Sequence, residues 1–258
     1  MNLETFSSKF QDYPLVIIAN FGDESIALIQ WVHDTFVNHK NIHIIYVNTG
    51  WAAPEWQLRV QTAKQWSESL GFQVHFLNPP ASFENLMIQQ GKFPSRKFQW
   101  CANFLKALPI LDFLDELDPE LNFIILLARR RAASRINFNL PEFIFEEPKW
   151  GDRKLWHPLY LHTQEDRDAL ITKTPFLNPL NHRSLECDPC VNSDLKDLIR
   201  IKNNKNLFVL TRLENLEKKL ESQLLSPELY PGLYLEKNNI QPAELFDMGC
   251  GNTFGCGL

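Results

Sequence analysis

Three groups of residues in this chain have the types and spacing to do chemistry. The first is a set of five cysteines, Cys101, Cys187, Cys190, Cys250 and Cys256. An odd number, with four at or after residue 187, reads as metal binding or thiol redox chemistry more than as structural disulfides. The second is the turn Asn20-Phe21-Gly22, which interrupts an apolar run and leads into Asp23-Glu24-Ser25. Small polar and acidic residues suit the unpaired N–H groups of a helix's first turn. A strand, a glycine turn and a helix N-terminus together form an anion site, because N–H groups and the positive dipole end face outward. An ordinary βα turn is the alternative. The third is Ala128 to Ser134 with Arg135, where Arg129, Arg130, Arg131 and Arg135 follow an apolar run. Guanidinium groups so placed make a local field for an anionic ligand, a solvated basic loop being the bland reading.

The elements that must position these groups alternate. Leu15 to Ala19, Ile42 to Val47, Gln73 to Leu77 and Phe123 to Leu127 read as strands. Helices are expected from Asp23, with Ile26, Ile29, Val32 and Phe36 at helical spacing, and from Pro54 to about Leu70, stopping at Gly71. Residues 82–90 make a short helix. Ala102 to Leu117 makes a longer one, in which Pro109 introduces a kink or ends the first part. Residues 137–160 resist assignment and read as an ordered loop on the sheet edge. Thr163 and Asp166 form a helix cap, and residues 194–202 and 212–224 are helical. Such alternation specifies an α/β fold, doubly wound, with a mainly parallel sheet and helices on both faces. A small cysteine-containing C-terminal annex follows. The expected boundaries are 1–192 for a nucleotide-binding domain and 193–258 for a helical annex and tail. Ligands of such sheets lie outside the strands' carboxyl ends, which predicts one crevice ringed by residues 20–25, 48–55 and 128–135.

Composition narrows the function classes. The chain has 258 residues, 44% hydrophobic and 22% charged, enough for one large domain with an annex. No apolar run reaches the roughly 18 residues of a membrane span, and residues 1–14 lack an apolar leader core. These point to a cytoplasmic protein without a membrane partner. A net charge of −5 argues against broad nucleic-acid binding. The seven histidines are scattered, with no pair at metal-ligand spacing. Trp51 and Phe21 are the candidates for stacking an adenine.

Taken in order, these segments resemble the adenine nucleotide alpha-hydrolase superfamily and, within it, the sulfonucleotide (phosphoadenylylsulfate and adenylylsulfate) reductases. Phe21-Gly22-Asp23-Glu24-Ser25 stands where that family has its phosphate-loop variant. Asn48-Thr49-Gly50 with Pro54-Glu55 resembles its D-T-G…P-E segment, and Trp100-Cys101 with Lys106 its W-C…K segment. Arg130-Arg131-Ala132-Ala133-Ser134-Arg135 resembles G-I-R-R-x-x-S-x-R. Cys187 and Cys190 match the downstream C-x-x-C, and Cys256-Gly257-Leu258 the final C-G-L. The chain departs from the pattern too. Asn20 and Phe21 replace the first two positions of S-G-G-x-D-S, Asn48 an acid, and Ala128 a glycine. One cysteine stands at 101 where iron–sulfur members have two.

The resemblance implies an oxidoreductase that binds an adenosine phosphosulfate and passes its sulfur group to a cysteine thiolate, Cys256. A thioredoxin-type dithiol would then act as reductant. Asn20, Phe21, Gly22, Asp23, Glu24, Ser25, Thr49, Gly50, Arg130, Arg131, Ser134 and Arg135 would bind the nucleotide and its anionic groups. Cys101, Cys187, Cys190 and Cys250 would hold a [4Fe–4S] cluster, with zinc as the alternative. A competing partition uses Cys187, Cys190, Cys250 and Cys256 as ligands and leaves Cys101 as a small buried residue. Two other functions stay open: an ATP-pyrophosphatase-type thiolation enzyme acting on a tRNA base or small molecule, and a non-catalytic nucleotide- or cluster-binding protein. The residues do not specify an oligomeric state.

Overall fold

A computed structural model describes residues 13–224, apart from 39, 96, 97, 135, 136 and 204–206. Its centre is a six-stranded sheet in the order β3-β2-β1-β4-β6-β5. The strands are β1 (Leu15–Ile18), β2 (Ile42–Val47), β3 (Gln73–Leu77), β4 (Ile124–Leu127), β5 (Phe143–Glu147) and β6 (Arg153–Trp156). β1 pairs in parallel with both β2 and β4, with Leu15 opposite Ile42 on one side and Ile124 on the other. Chain order therefore reverses direction across β1, and the switch point lies between the carboxyl ends of β1 and β4.

Alternation along β1 explains the two covered faces. Leu15 and Ile17 pack on one side against α1 (Asp23–Thr35) and α2 (Pro54–Ser69), through Ile26, Ile29, Trp56 and Val60. Val16 points the other way, into a cluster with Ile110 and Leu114 of α5 (Leu108–Leu117) and with Trp150. Strands buried on both faces read as continuous apolar runs, which is what made β1, β2 and β4 legible.

Residues 137–160 differ from the loop expected there. They hold β5 and β6; β6 is parallel to β4 and β5 is antiparallel to β6, with a register irregularity between Ile144 and Glu147. Gly151 and Asp152, at φ 63° and 60°, turn the chain between the two strands. Paired left-handed residues are a hairpin signal, masked here by short strands of mixed polarity. The 102–117 helix also differs. A short α4 (Trp100–Ala102) runs into a π-helical segment, Asn103–Ala107, and then into α5. Pro109 sits in the first turn of α5, at its junction with the π-helical segment.

The remaining helices are α3 (Phe83–Gln90), α6 (Gln164–Ile171), α7 (Leu195–Asn203) and α8 (Leu207–Leu220). The Thr163–Asp166 capping box starts α6 as expected. Leu198, Ile201, Val209 and Leu213 of α7 and α8 share a hydrophobic cluster with Trp51, Phe83, Met87 and Trp100. Among the described residues, no helix is long and apolar enough to cross a membrane.

Two histidines make the fold acid-sensitive. His43 Nδ1 lies 2.9 Å from His75 Nε2, beneath Phe123 and Phe113. Burial, reinforced by His75, lowers the His43 pKa to about 4, and burial likewise lowers His157 to about 4. Both are neutral in the fold and titrate near 6.5 when unfolded. Their stabilising contribution is thus intact above pH 6.5 and is lost as pH falls toward 4. We expect a loss of roughly 2–3 kcal/mol per histidine by pH 4. Urea denaturation at pH 7 and pH 4 checks this, and His43→Gln should flatten the pH dependence.

Candidate functional site

The turn after β1 is built from inside. Asn20 Oδ1 accepts the Gly22 N–H at 2.8 Å and the Ser25 hydroxyl at 3.1 Å. The amide that a bound anion would use is therefore already paired with Asn20. Phe21 adopts φ 59°, a conformation glycine takes without strain. Its ring is fully buried and stacks on Tyr46, centroids 5.3 Å apart, while its carbonyl accepts from Arg59 Nε at 2.6 Å. Burial of the ring offsets the backbone strain. Phe21 is thus a core residue with no face open to a base. Trp51 is equally enclosed, between Phe83 at 4.7 Å and the Arg212 guanidinium at 4.0 Å.

Glu24 reaches across the switch point. Its carboxylate takes Arg130 Nε and Nη2, each at 2.7 Å, and Arg167 Nη1 at 3.1 Å. All three side chains are buried, so the charges are matched in a low-dielectric setting. Asp23 accepts from Arg59 and from the Leu180 N–H, while burial raises its carboxyl pKa. Beside these groups opens a cleft of about 510 Å³, lined by Asp23, Glu24, Arg130, Arg167, Arg183 and Lys196 among others. The loops after β1 and β4 thus meet at one cleft, as the sequence predicts.

The arginine loop serves that cleft only in part. Arg131 is exposed, donates through Nε to the Leu140 carbonyl and covers the Tyr160 ring. Neither Arg131 nor Ser134 lines the cleft, and Arg135 lies outside the described residues. The loop after β2 turns elsewhere. Thr49 Oγ1 donates to the Glu186 carbonyl and Trp51 Nε1 to that of Pro189, which fastens this loop to the cysteine segment. Gly50, at φ 69°, forms the tight turn, and a Cβ there would meet Ser82 at 2.9 Å. The expected three-loop crevice is therefore two adjoining spaces, because β2 lies on the far side of β1 from β4.

The second space is small, about 30 Å³, and is lined by Thr49, Cys101, Lys106, Glu186, Cys187 and Cys190 among others. Arg183, Ser184 and Asn192 line both spaces. The π-helical segment carries Lys106, whose Nζ meets Glu186 Oε1 at 2.6 Å; Asn20 Nδ2 donates to the same oxygen at 3.3 Å. Ser25, Asn20, Glu186 and Lys106 thus form one chain of polar contacts from the β1 turn to the cysteines. The Cys190 pKa is lowered to about 6, chiefly by a hydrogen bond from the Cys187 thiol. Arg183, the Asn192 N–H and Lys106 act in the same direction, against burial. The Cys187 contact thus favours the thiolate form of Cys190.

The chemistry of the donors also tests the expected metal. Cys187 and Cys190 form no disulfide and are joined by a hydrogen bond, and Cys101 lines the same narrow space. That space has room for about one water. A [4Fe–4S] cluster needs four thiolates spread around it, and zinc needs four converging donors. Among the described residues, no three His, Cys, Asp or Glu side chains are placed to hold an ion. The described cysteines as arranged fit neither group; Cys250 and Cys256 lie outside the described residues.

Comparison with known proteins follows this geometry. A family model for the phosphoadenosine phosphosulfate reductase domain matches residues 14–180. The chain belongs to that family. Its fold and matched segments place it in the adenine nucleotide alpha-hydrolase superfamily. An NMN synthetase from Francisella tularensis superposes with a TM-score of 0.50 at 12% identity, covering 86% of this chain and 94% of that one. A phosphoadenylyl-sulfate reductase from Candida auris, solved with phosphate, gives 0.48 at 17% identity, covering 68% and 81%. A U34-tRNA thiolase from Methanococcus maripaludis, solved with its [4Fe–4S] cluster, gives 0.48 at 12% identity, covering 85% and 78%. Comparison with curated proteins gives no match.

Sequence reasoning missed Arg167, Arg183, Glu186, Lys196 and Arg200 as wall residues. A usable signal was present: charged residues flank C-x-x-C on both sides, in His182-Arg183-Ser184-Leu185-Glu186 and in Lys196 to Arg200.

Two outcomes are expected. Glu24→Gln leaves the buried Arg130 guanidinium without its carboxylate and Arg167 with Asp168 alone, and should destabilise the protein by about 3–5 kcal/mol, read from urea midpoints. Alkylation of Cys190 by iodoacetamide should rise with pH around a midpoint near 6, which peptide mapping after timed quenching measures.

Proposed function

We propose that this family member binds an adenosine phosphosulfate in the cleft between the β1 and β4 loops and transfers the sulfo group to a cysteine thiolate. One observation carries the reading: the cleft and the cysteine-lined space share a wall of Arg183, Ser184 and Asn192. A nucleotide in the cleft would bring its anionic end to thiols without leaving the pocket. In the step, the thiolate attacks the sulfonate sulfur and the sulfur–oxygen bond to the adenosine phosphate breaks. The electron pair leaves on the phosphate, and a cysteine S-sulfonate forms. A second thiol attacks the cysteine sulfur and expels sulfite, leaving a disulfide for an external dithiol to reduce. Two thiols thus supply the two electrons that turn sulfonate into sulfite.

Resemblance assigns the first attack to Cys256. The geometry favours a second assignment, in which Cys190 attacks and Cys187 resolves, because these thiols are paired beside the cleft and the Cys187 contact favours the Cys190 thiolate. Guanidinium charge at Arg130 and Arg183 would offset the charge developing on the leaving phosphate. An iron–sulfur or zinc site would need Cys250 or Cys256 to join the three described cysteines.

Sulfite release from adenosine 5′-phosphosulfate and its 3′-phosphorylated form, with dithiothreitol as reductant, tests the reading. We expect release by the unmodified protein and loss in whichever of Cys190→Ser and Cys256→Ser removes the first nucleophile. Production of AMP and pyrophosphate from ATP, without sulfite release, would overturn it in favour of thiolation chemistry. Iron and zinc analysis of anaerobically purified Cys250→Ser/Cys256→Ser protein should show neither metal in stoichiometric amount, since the described cysteines fit no metal site by themselves.

A further inference from the structure

The turn after β1 has the parts of an anion site, yet its donors are spent on a residue of the chain itself. The Gly22 N–H, at 2.8 Å, and the Ser25 hydroxyl, at 3.1 Å, converge on one oxygen, Asn20 Oδ1. Donors converging on a single oxygen are what an oxyanion meets at a helix N-terminus. The Asn20 amide is held in this sense from its other side. Its Nδ2 donates to Glu186 Oε1 at 3.3 Å, and Lys106 Nζ meets the same oxygen at 2.6 Å. Reversing the amide would set its NH2 group against the Gly22 N–H and its oxygen against the Glu186 carboxylate, so both contacts fix one orientation. The backbone is pinned as well. The Phe21 ring is fully buried, and the Phe21 carbonyl accepts from Arg59 Nε at 2.6 Å.

The first turn of α1 adds negative charge beside this oxygen. Asp23 and Glu24 are both buried there, and carboxylates at a helix N-terminus take up its positive field. Both line the cleft, whereas Asn20, Gly22 and Ser25 do not.

We infer that Asn20 is a specificity residue that closes the β1 turn to phosphate by supplying the oxygen an anion would bring. The anionic groups of a ligand are thereby confined to the cleft beyond the turn. This goes beyond the sulfo transfer proposed above and does not depend on it, because it names the ligands that are refused. A nucleoside triphosphate that must seat a phosphate against the Gly22 N–H finds the place filled.

The test uses the full chain labelled with nitrogen-15 glycine, with inorganic phosphate as the probe at constant ionic strength. In the unmodified protein the Gly22 amide resonance should not move as phosphate is added. Asn20→Ala removes the internal oxygen, and the Gly22 resonance should then shift saturably. Its dissociation constant should lie at least about tenfold below the highest phosphate concentration that leaves the unmodified protein unmoved. Asn20→Ser, which shortens the side chain and keeps a polar group, should give the same gain and serves if the alanine variant does not fold. A saturable Gly22 shift in the unmodified protein overturns the inference. So does a folded Asn20→Ala or Asn20→Ser protein whose Gly22 resonance stays still. Sulfite release enters none of these readings, so the proposed function and this inference fail separately.

Discussion

One buried carboxylate holds the cleft together. Glu24 opens α1, yet its oxygens are spent on Arg130, which follows β4, and on Arg167 in α6. The three positions are distant in sequence and meet only because β1 and β4 are neighbours in the sheet. Such a clamp has a desolvation cost, and it stabilises only when every partner is present with good geometry. Here the bidentate pair supplies that geometry. The consequence is a cleft wall whose buried positive charge is largely matched by Glu24 and Asp168.

The second organising device is the Glu186 carboxylate, held by Lys106 and Asn20. Asn20 also fills the β1 turn, so the sheet's central loop and the cysteine segment are positioned through one side-chain amide. Arg212 reinforces the same region from α8, donating to the carbonyls of Trp51, Ala52 and Asp188. Neighbouring groups in a dry polar network strengthen one another. The cysteine pair therefore rests on a braced loop.

Much of this was legible in the residues. Apolar runs at Leu15, Ile42 and Phe123 marked strands because parallel strands are buried on both faces, and Asp23-Glu24-Ser25 marked the helix start. Two things were not legible. β5 and β6 are short and amphipathic, and Phe143 to Glu147 lacks the continuous apolar character of the central strands. The destination of side chains was also hidden. Arg130 and Arg131 are adjacent and alike in sequence, yet one is clamped beneath the cleft and the other lies exposed over Tyr160. Phe21 looked like a base-stacking candidate because it occupies a loop motif. Its ring turns inward, since a bulky residue at positive φ is tolerated where burial stabilises it. Partners elsewhere in the chain, such as Glu24 for Arg130 and Tyr46 for Phe21, decide such outcomes, and spacing along the chain carries no trace of them.

The β5 margin bears on self-association. An outermost strand offers unpaired main-chain groups to any neighbouring polypeptide, and Phe145 adds an exposed ring there. The register break between Ile144 and Glu147 bends that border, while the adjoining Glu146 puts negative charge on it. A second molecule approaching along this margin would meet a crooked, like-charged template, which disfavours continuation of the sheet beyond β5.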